Sequence, residues 1–446
     1  MANVTVLGAG GATVTIALSS AQNAAAAQAA VDSVNKNTAN GIVDQQTWSG
    51  TGTLPAPANI LAGAILTTPG DLGGLTSQYI SVAVNAVGNS TVIGPQNAQS
   101  TVVAGDGANL TYGNQSAHGK IFFGDSQSTL INYGGTANLT TDAGDYVVLT
   151  KTGTASNVTA GNGALILTSD LGGSQGANTI GLNAGAKASV VAGGNSTVAV
   201  TVNAAGGDLF FVNQGAGSGV INPGNGNVTV VGNATDLGGR TTLFGGANAV
   251  VVSNGQGEFT GGTAGNNMMF SSTVAGSATL TGGGSNDLLY SLGKDNLLIA
   301  GAGSETLVAR SAISNEANRF IVGNGFATVF GGGQGGNTYY FSGLGSGLID
   351  GRDETAAGVA TQNTYQEFGS NPGGTHLIGD FVTGVDKLIT NGSDFTVKFF
   401  TAGETGSPFG SAAGTQVLLA NGTTYDFFDT GSDGKQDIFA SDISKV

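Results

Sequence analysis

From residue 61 to residue 341 the chain repeats one texture, short aliphatic and β-branched runs set between glycine- and asparagine-rich turns. Ser81-Val82-Ala83-Val84, Tyr146-Val147-Val148-Leu149 and Ala164-Leu165-Ile166-Leu167 are runs of this kind. Ala104-Gly105-Asp106-Gly107, Ala160-Gly161-Asn162-Gly163 and Phe330-Gly331-Gly332-Gly333 are turns of this kind. Alternation with period two gives each run one inward and one outward side, and Gly followed by Asn or Asp tolerates the positive φ of tight corners. Short strands punctuated this regularly predict an all-β fold.

The two ends depart from this pattern. At the start, Val4-Thr5-Val6-Leu7 and Thr13-Val14-Thr15-Ile16-Ala17-Leu18 read as strands around a glycine turn. Ser19 and Ser20 then offer N-caps to a helix running from Ala21 to roughly Lys36, favoured by four consecutive alanines. Residues 37–57 read as a loop, with Trp48 expected to pin it to the body. Charged and aromatic residues return after residue 350, where strands such as Val417-Leu418-Leu419 and Thr424-Tyr425-Asp426-Phe427-Phe428 predict a C-terminal β cap. The expected organisation is a strand-and-helix element at 1–60, a long repetitive region at 61–349 and a cap at 350–446.

A nine-residue period makes the middle region more specific. Gly282-Gly283-Gly284-Ser285-Asn286-Asp287-Leu288-Leu289-Tyr290 is followed in phase by residues 291–299 and 300–308, which place Asn296 and Glu305 where Asp287 stands. Windows at 332–340, 261–269 and 104–112 put Asn337, Asn266 and Asn109 at the same position. A repeat this short cannot bury its apolar side alone and must stack on copies of itself. Two repeats per coil predict a parallel β-roll or β-solenoid of about 18–22 residues per turn, with strands one ladder spacing apart. Before residue 240 the period is loose, which leaves a sandwich or an irregular solenoid open there.

Composition narrows the chemistry. The chain carries 79 glycines with only 7 prolines and no three-residue period, which excludes collagen and argues against a disordered linker. A net charge of −15 with only 13 basic residues speaks against nucleic acid and anionic membrane surfaces, and leaves carboxylates for a divalent cation. Cysteine is absent, so neither disulfides nor thiolate metal sites hold the fold. No apolar stretch is long enough for a membrane helix, and no basic leader with an apolar core opens the chain.

These repeats, followed by Asp380-Phe381-Val382-Thr383-Gly384-Val385-Asp386-Lys387-Leu388, resemble the C-terminal region of RTX proteins, the hemolysin-type calcium-binding repeat family. The likeness covers roughly residues 240–446, and the segment after the repeats is similar to that of the serralysin-like domain. It implies a parallel β-roll with Ca²⁺ between adjacent turns and export by an uncleaved C-terminal type I secretion signal. The Ca²⁺ candidates on this reading are Asp287, Asn296, Glu305, Asn337 and Asp106. The acid is often replaced by asparagine, whose amide brings no charge, so few ions are expected. The alternative is a calcium-free roll in which the asparagines hydrogen-bond along the stack as ladders.

Other candidate sites are weaker. Gly8-Ala9-Gly10 after a strand partly matches a dinucleotide fingerprint, but the β-branched run from Thr13 stands where a helix is required. His118 and His376 lie far apart and outside any hydrolase motif. Residues 429–437 keep three carboxylates of an EF-type loop but lose two other ligand positions, and residues 350–354 form an acidic loop. The expectation is therefore a non-enzymatic, secreted bacterial structural protein that binds copies of itself in a filament, surface layer or biofilm matrix. An adhesin that binds cell-surface polysaccharide is the alternative, and a polysaccharide-acting enzyme comes third.

Overall fold

The computed structural model of the chain describes residues 1–169, 176–193, 200–232, 239–254, 256–271, 277–284, 286–292, 295–309, 318–331, 336–350, 362–369, 373–379, 381–428 and 438–446. Contacts divide the chain into two units, Met1–Val228 and Thr229–Val446. Each is built from parallel β-solenoid coils, as the alternation predicts.

In the first unit, one sheet contains Leu61–Leu66, Tyr79–Val84, Gln99–Ala104, His118–Phe123, Thr136–Thr141 and their successors. A second contains Gly88–Ile93, Ala108–Asn114, Gln127–Asn132, Asp145–Thr150, Ala164–Ser169 and onward. Every strand pairs with the strands one coil before and one coil after, so the order in each sheet is linear. Gln99 pairs with His118 and His118 with Thr136, which sets coils of 19 and 18 residues.

In-register pairing stacks like positions. Ala64, Val82, Val102, Ile121, Leu139, Val158, Ile180, Val202 and Ile221 form one buried column, each paired with the next. Val92, Tyr112, Leu130, Val148, Leu167, Val190 and Phe211 form the facing column. Full burial of one such aliphatic side chain contributes about 1.5–3 kcal/mol. The region before residue 240, where the nine-residue period is loose, is thus a regular solenoid. Its coils are phased by the inward apolar column and the backbone ladder, so the corners need no fixed glycine formula.

The N-terminal element is a self-contained hairpin and helix. β1 (Ala2–Leu7) pairs antiparallel with β2 (Thr13–Leu18), and α1 (Ala21–Ala39) follows with Ser20 as its N-cap. The outer edge of β1 is closed by the helix: Gln28 Oε1 accepts from Thr5 N–H at 2.7 Å, Asn35 Oδ1 accepts from Leu7 N–H at 2.9 Å, and the Asn35 amide donates to Thr5 O. Val4, Val6, Ile16, Leu18, Ala24, Ala27 and Val31 pack on Ile65, Ala83, Val103 and Phe122. Those four are an outward column on consecutive coils, paired Ile65 to Ala83 to Val103 to Phe122. The element therefore lies along the flank of the coils. On the next coils the column turns polar, with Thr140 and Thr159.

Residues 37–57 are not all loop, as their polar sequence predicts, but contain a strand, Val43–Trp48. Its polar run Asp44-Gln45-Gln46-Thr47 hides the alternation, but it pairs in register with Leu61–Leu66. Trp48 is buried and its indole donates to Gly52 O at 2.8 Å, holding the following loop as expected.

In the second unit, Thr241–Phe244, Gly257–Thr260, Ala278–Thr281, Leu297–Ile299, Arg319–Val322, Thr338–Phe341, Thr364–Glu367, Lys387–Thr390 and Ile443–Lys445 form one parallel sheet. Ala249–Ser253, Met268–Ser271, Leu288–Ser291, Ser304–Ala309, Phe326–Phe330, Ser346–Asp350, Thr375–Ile378 and Thr424–Phe428 form the other. Parallel pairing continues past residue 350, so the cap proper starts at Phe395–Phe400. That strand runs antiparallel to Gly414–Leu419, which runs antiparallel to Thr424–Phe428. Lys398 sits mid-strand on this outermost strand, a charge that opposes pairing with another chain.

The stacking assigns opposite faces to neighbouring residues, and a pair of substitutions tests it. Ile180→Ala should cost about 2–5 kcal/mol by opening a cavity, whereas Thr179→Ala, facing out, should stay within about 0.5 kcal/mol. Chemical denaturation reads both, and equal losses would contradict the register.

Candidate functional site

One inward column of the second unit departs from the apolar rule. Asn267, Asp287 and Glu305 stand directly before Met268, Leu288 and Thr306, which pair in register. The column continues from Glu305 through Ala327 and Gly347 to His376 and Tyr425. Asp287 and Glu305 are buried one coil apart. Asp287 is well satisfied: Oδ1 accepts from the Asn267 N–H at 2.8 Å and side-chain amide at 2.9 Å, and Oδ2 accepts from Gly283 N–H at 2.6 Å. Glu305 Oε1 accepts from Gly303 N–H at 3.0 Å, while Oε2 has no hydrogen-bond partner although the residue is only 1% exposed.

The electrostatics follow from the geometry. Burial raises the Glu305 carboxyl above its ordinary value, the Gly303 N–H opposes this, and the charge of Asp287 adds to the rise. Gly282 leaves the space between the two acids open: a Cβ there would lie 3.2 Å from Asp287 Oδ2 and 3.2 Å from Glu305 Cγ. Two buried carboxylates, one with an unpartnered oxygen, suit a hard cation bound by oxygen. Among the described residues no cluster of three or more acidic, His or Cys side chains forms. The rest of a Ca²⁺ shell, about six to eight oxygens, would come from backbone carbonyls or water.

The other candidates are placed elsewhere. Asn296 and Asn337 lie on the opposite sheet, in a buried column with Asn318 and Asn363. Asn296 Oδ1 accepts from Ala278 N–H at 2.8 Å, Asn318 Oδ1 from Asn296 N–H at 3.1 Å, and Asn363 Oδ1 from Asn337 N–H at 3.0 Å. Asp386 ends the column, accepting from Asn363 N–H at 2.7 Å and Val382 N–H at 2.9 Å. In the window at 261–269 it is Asn267, one residue later than the repeat suggests, that joins the acids. Asn109 instead stacks on Asn89, its amide donating to Asn89 Oδ1 at 3.0 Å.

Asp106 is committed to the N-terminal element. It accepts from Ser19 N–H at 3.2 Å, Ser19 Oγ–H at 2.8 Å and Asp125 N–H at 2.8 Å. Asp142 acts beside it. It accepts from Ser20 N–H at 3.1 Å and the Asn23 amide at 2.9 Å. Burial raises its carboxyl while those bonds hold it down. Nothing in the local sequence of Asp142 marks it, because its partners lie over a hundred residues away.

The glycines at 8–11 form the hairpin turn between β1 and β2, with Gly10 and Gly11 at φ 67° and 81°, so no strand-to-helix phosphate site exists there. His118 opens an exposed strand end, whereas His376 is buried between Phe341 and Tyr425, with ring centroids 4.2 and 5.4 Å away. Of the acidic loop at 350–354 only Asp350 is described, and the EF-like residues 429–437 and Asp380 lie outside the described residues.

On the sheet that carries Asp287, Val252, Phe270, Tyr290, Val308 and Phe330 form one outward column, and Val250, Met268, Leu288, Thr306 and Thr328 form the next. None of these ten positions is charged, and the Phe270 and Tyr290 rings lie 5.9 Å apart. No helix among the described residues is long and apolar enough to cross a membrane. No protein-family model, curated protein or solved structure matches the chain.

His376 makes this unit acid-sensitive. Burial lowers its pKa to about 4, opposed by its contact with Gly373 O. The unfolded chain, with a pKa near about 6.5, then binds the proton first, so stability falls as pH drops from roughly 6.5 to 4. The loss should approach about 3 kcal/mol for this residue. Unfolding free energies of the native chain and His376→Gln, compared across that range, should diverge in slope; parallel curves would remove the assignment.

Proposed function

We propose that this chain is a structural scaffold protein whose coils associate, copy against copy, into an extracellular filament or layer, with Ca²⁺ bound at Asp287 and Glu305. The observation that carries the reading is the uncharged outward face of Val252, Phe270, Tyr290, Val308 and Phe330 with its neighbouring column. In a chain of net charge −15, contact between copies is least repulsive through a face that bears no charge. Exposed apolar patches rimmed by polar residues mark association sites. The unpartnered Glu305 Oε2 supports the cation, since a buried acceptor without a donor costs about 1–3 kcal/mol unless something binds it. The resemblance to RTX proteins supports export from a bacterial cell.

Electron microscopy and sedimentation with and without Ca²⁺ test the assembly. Ordered filaments or sheets are expected, and replacing Phe270 and Tyr290 by Lys should abolish them while leaving the unfolding midpoint nearly unchanged. A native chain that stays monomeric at high concentration in both conditions would refute the reading. Ca²⁺ at a hundred times its dissociation constant should add about 2.7 kcal/mol to the native protein and much less to Glu305→Gln. Without Ca²⁺, Glu305→Gln should melt higher than the native chain at neutral pH, because it removes a buried charge beside Asp287. That advantage should shrink as acid neutralises Glu305.

A further inference from the structure

The flank covered by the N-terminal element has the features of a socket. Its floor is the outward column Ile65, Ala83, Val103 and Phe122, and its rim is Asp106 and Asp142. What fills it behaves as a separate small body. β1 and β2 pair only with each other, α1 closes the free edge of β1 through Gln28 and Asn35, and Val4, Val6, Ile16, Leu18, Ala24, Ala27 and Val31 form one continuous apolar face that docks on the floor. The backbone enters the attachment through few bonds, among them Asp106 N–H to Ala17 O at 2.9 Å and Asn23 Nδ2–H to Phe123 O at 3.0 Å.

The connection to the coils is short. Only Asn40, Gly41 and Ile42 separate α1 from the strand Val43–Trp48, and Gly41 holds φ at 70°. The link is wound back on the helix end, with Gly41 N–H donating to Thr38 O and Ile42 N–H to Asn37 O. Short hinges of this kind favour exchange of an element between identical chains. The apolar and hydrogen-bond contacts named above join residues 2–31 to residues 65–142, so a second copy can supply these unchanged, while Gln45 Nε2 also donates to Thr38 Oγ1 at 3.3 Å beside the hinge. The balance between the closed and exchanged forms then depends on the hinge and on concentration, not on the quality of the interface.

We infer that the partner fitting this socket is the N-terminal hairpin and helix of a second copy, so that neighbouring chains exchange them. This rests on the self-association proposed above and names one of its contacts. An extended link from Ala39 to Val43 reaches at most about 14 Å, which confines exchange to copies that meet at this end of the coils.

The chain has no cysteine, which allows a direct test. One population carries Ser19→Cys and a second carries Asp106→Cys, residues whose side chains meet at 2.8 Å. The two are mixed, unfolded, refolded together at the concentration where association is seen, and treated with a short bis-maleimide. Exchange yields a covalent heterodimer joining one chain of each kind. The double variant in one chain, held dilute, serves as the positive control and should close within the chain. Association by sedimentation without any heterodimer would overturn the exchange and leave self-association standing, while absence of association would overturn both. Asn23→Cys with Asp142→Cys, whose side chains meet at 2.9 Å, repeats the test if the first pair disturbs folding.

Discussion

Parallel in-register pairing is the constraint on which the rest depends. Each coil gives its backbone N–H and C=O groups to the coils on either side, and the pleat then fixes which side chains stand above one another. A residue type placed inside must be acceptable not once but as a neighbour of what lies one coil away. Apolar side chains meet that requirement by packing. Asparagine meets it because an amide both donates and accepts: the Asn296 amide donates to Asn318 Oδ1, and Asn363 Oδ1 accepts from Asn337 N–H one coil away. A carboxylate only accepts. Two of them on successive rungs cannot satisfy each other, and this sets Asp287 and Glu305 apart from the asparagines of the opposite sheet.

Much of the architecture was legible in the order of residues. Period-two runs between Gly/Asn corners specify stacked strands, and Ser20 before an alanine-rich run specifies α1. What escaped has physical reasons. Val43–Trp48 is a strand whose alternation is masked by buried Gln45 and Gln46. The loose period before residue 240 concerned corner chemistry, which the inward columns override. The shift from Asn266 to Asn267 is one residue in a turn, and only the pairing of Met268 with Leu288 resolves it. The flank site was readable in one respect: strands such as Leu61–Leu66 and His118–Phe123 end in consecutive apolar residues, a sign of burial on both faces. Its occupant was not, because Asp142 and Ser20 are far apart in sequence.

The segment from Phe381 to Leu388 has a structural role that stands beside the resemblance it carries. Gly384, at φ 78°, lets the chain turn; Val385 and Asp386 N–H both bond back to Val382 O, and Phe381 packs on Tyr365 and Phe427. Asp386 then ends the asparagine column with an acceptor that takes two backbone donors. Leu388 resumes the inward apolar column between Tyr365 and Ile443. A turn glycine, a buried aromatic and an acid that accepts from Asn363 N–H thus close the polar stack at this coil.

The brace along the flank also bears on how the first unit yields to force. A stack of coils joined only to nearest neighbours can be peeled one coil at a time, each step breaking a single rung of backbone bonds. Here the first element of the chain rests on four successive coils, from Ile65 to Phe122, and is tied near its root to Asp106 and Asp142. Traction on the amino terminus therefore meets that attachment before it reaches any rung. Unravelling from this end begins with one large step, in the way a splice must fail before a rope can unlay.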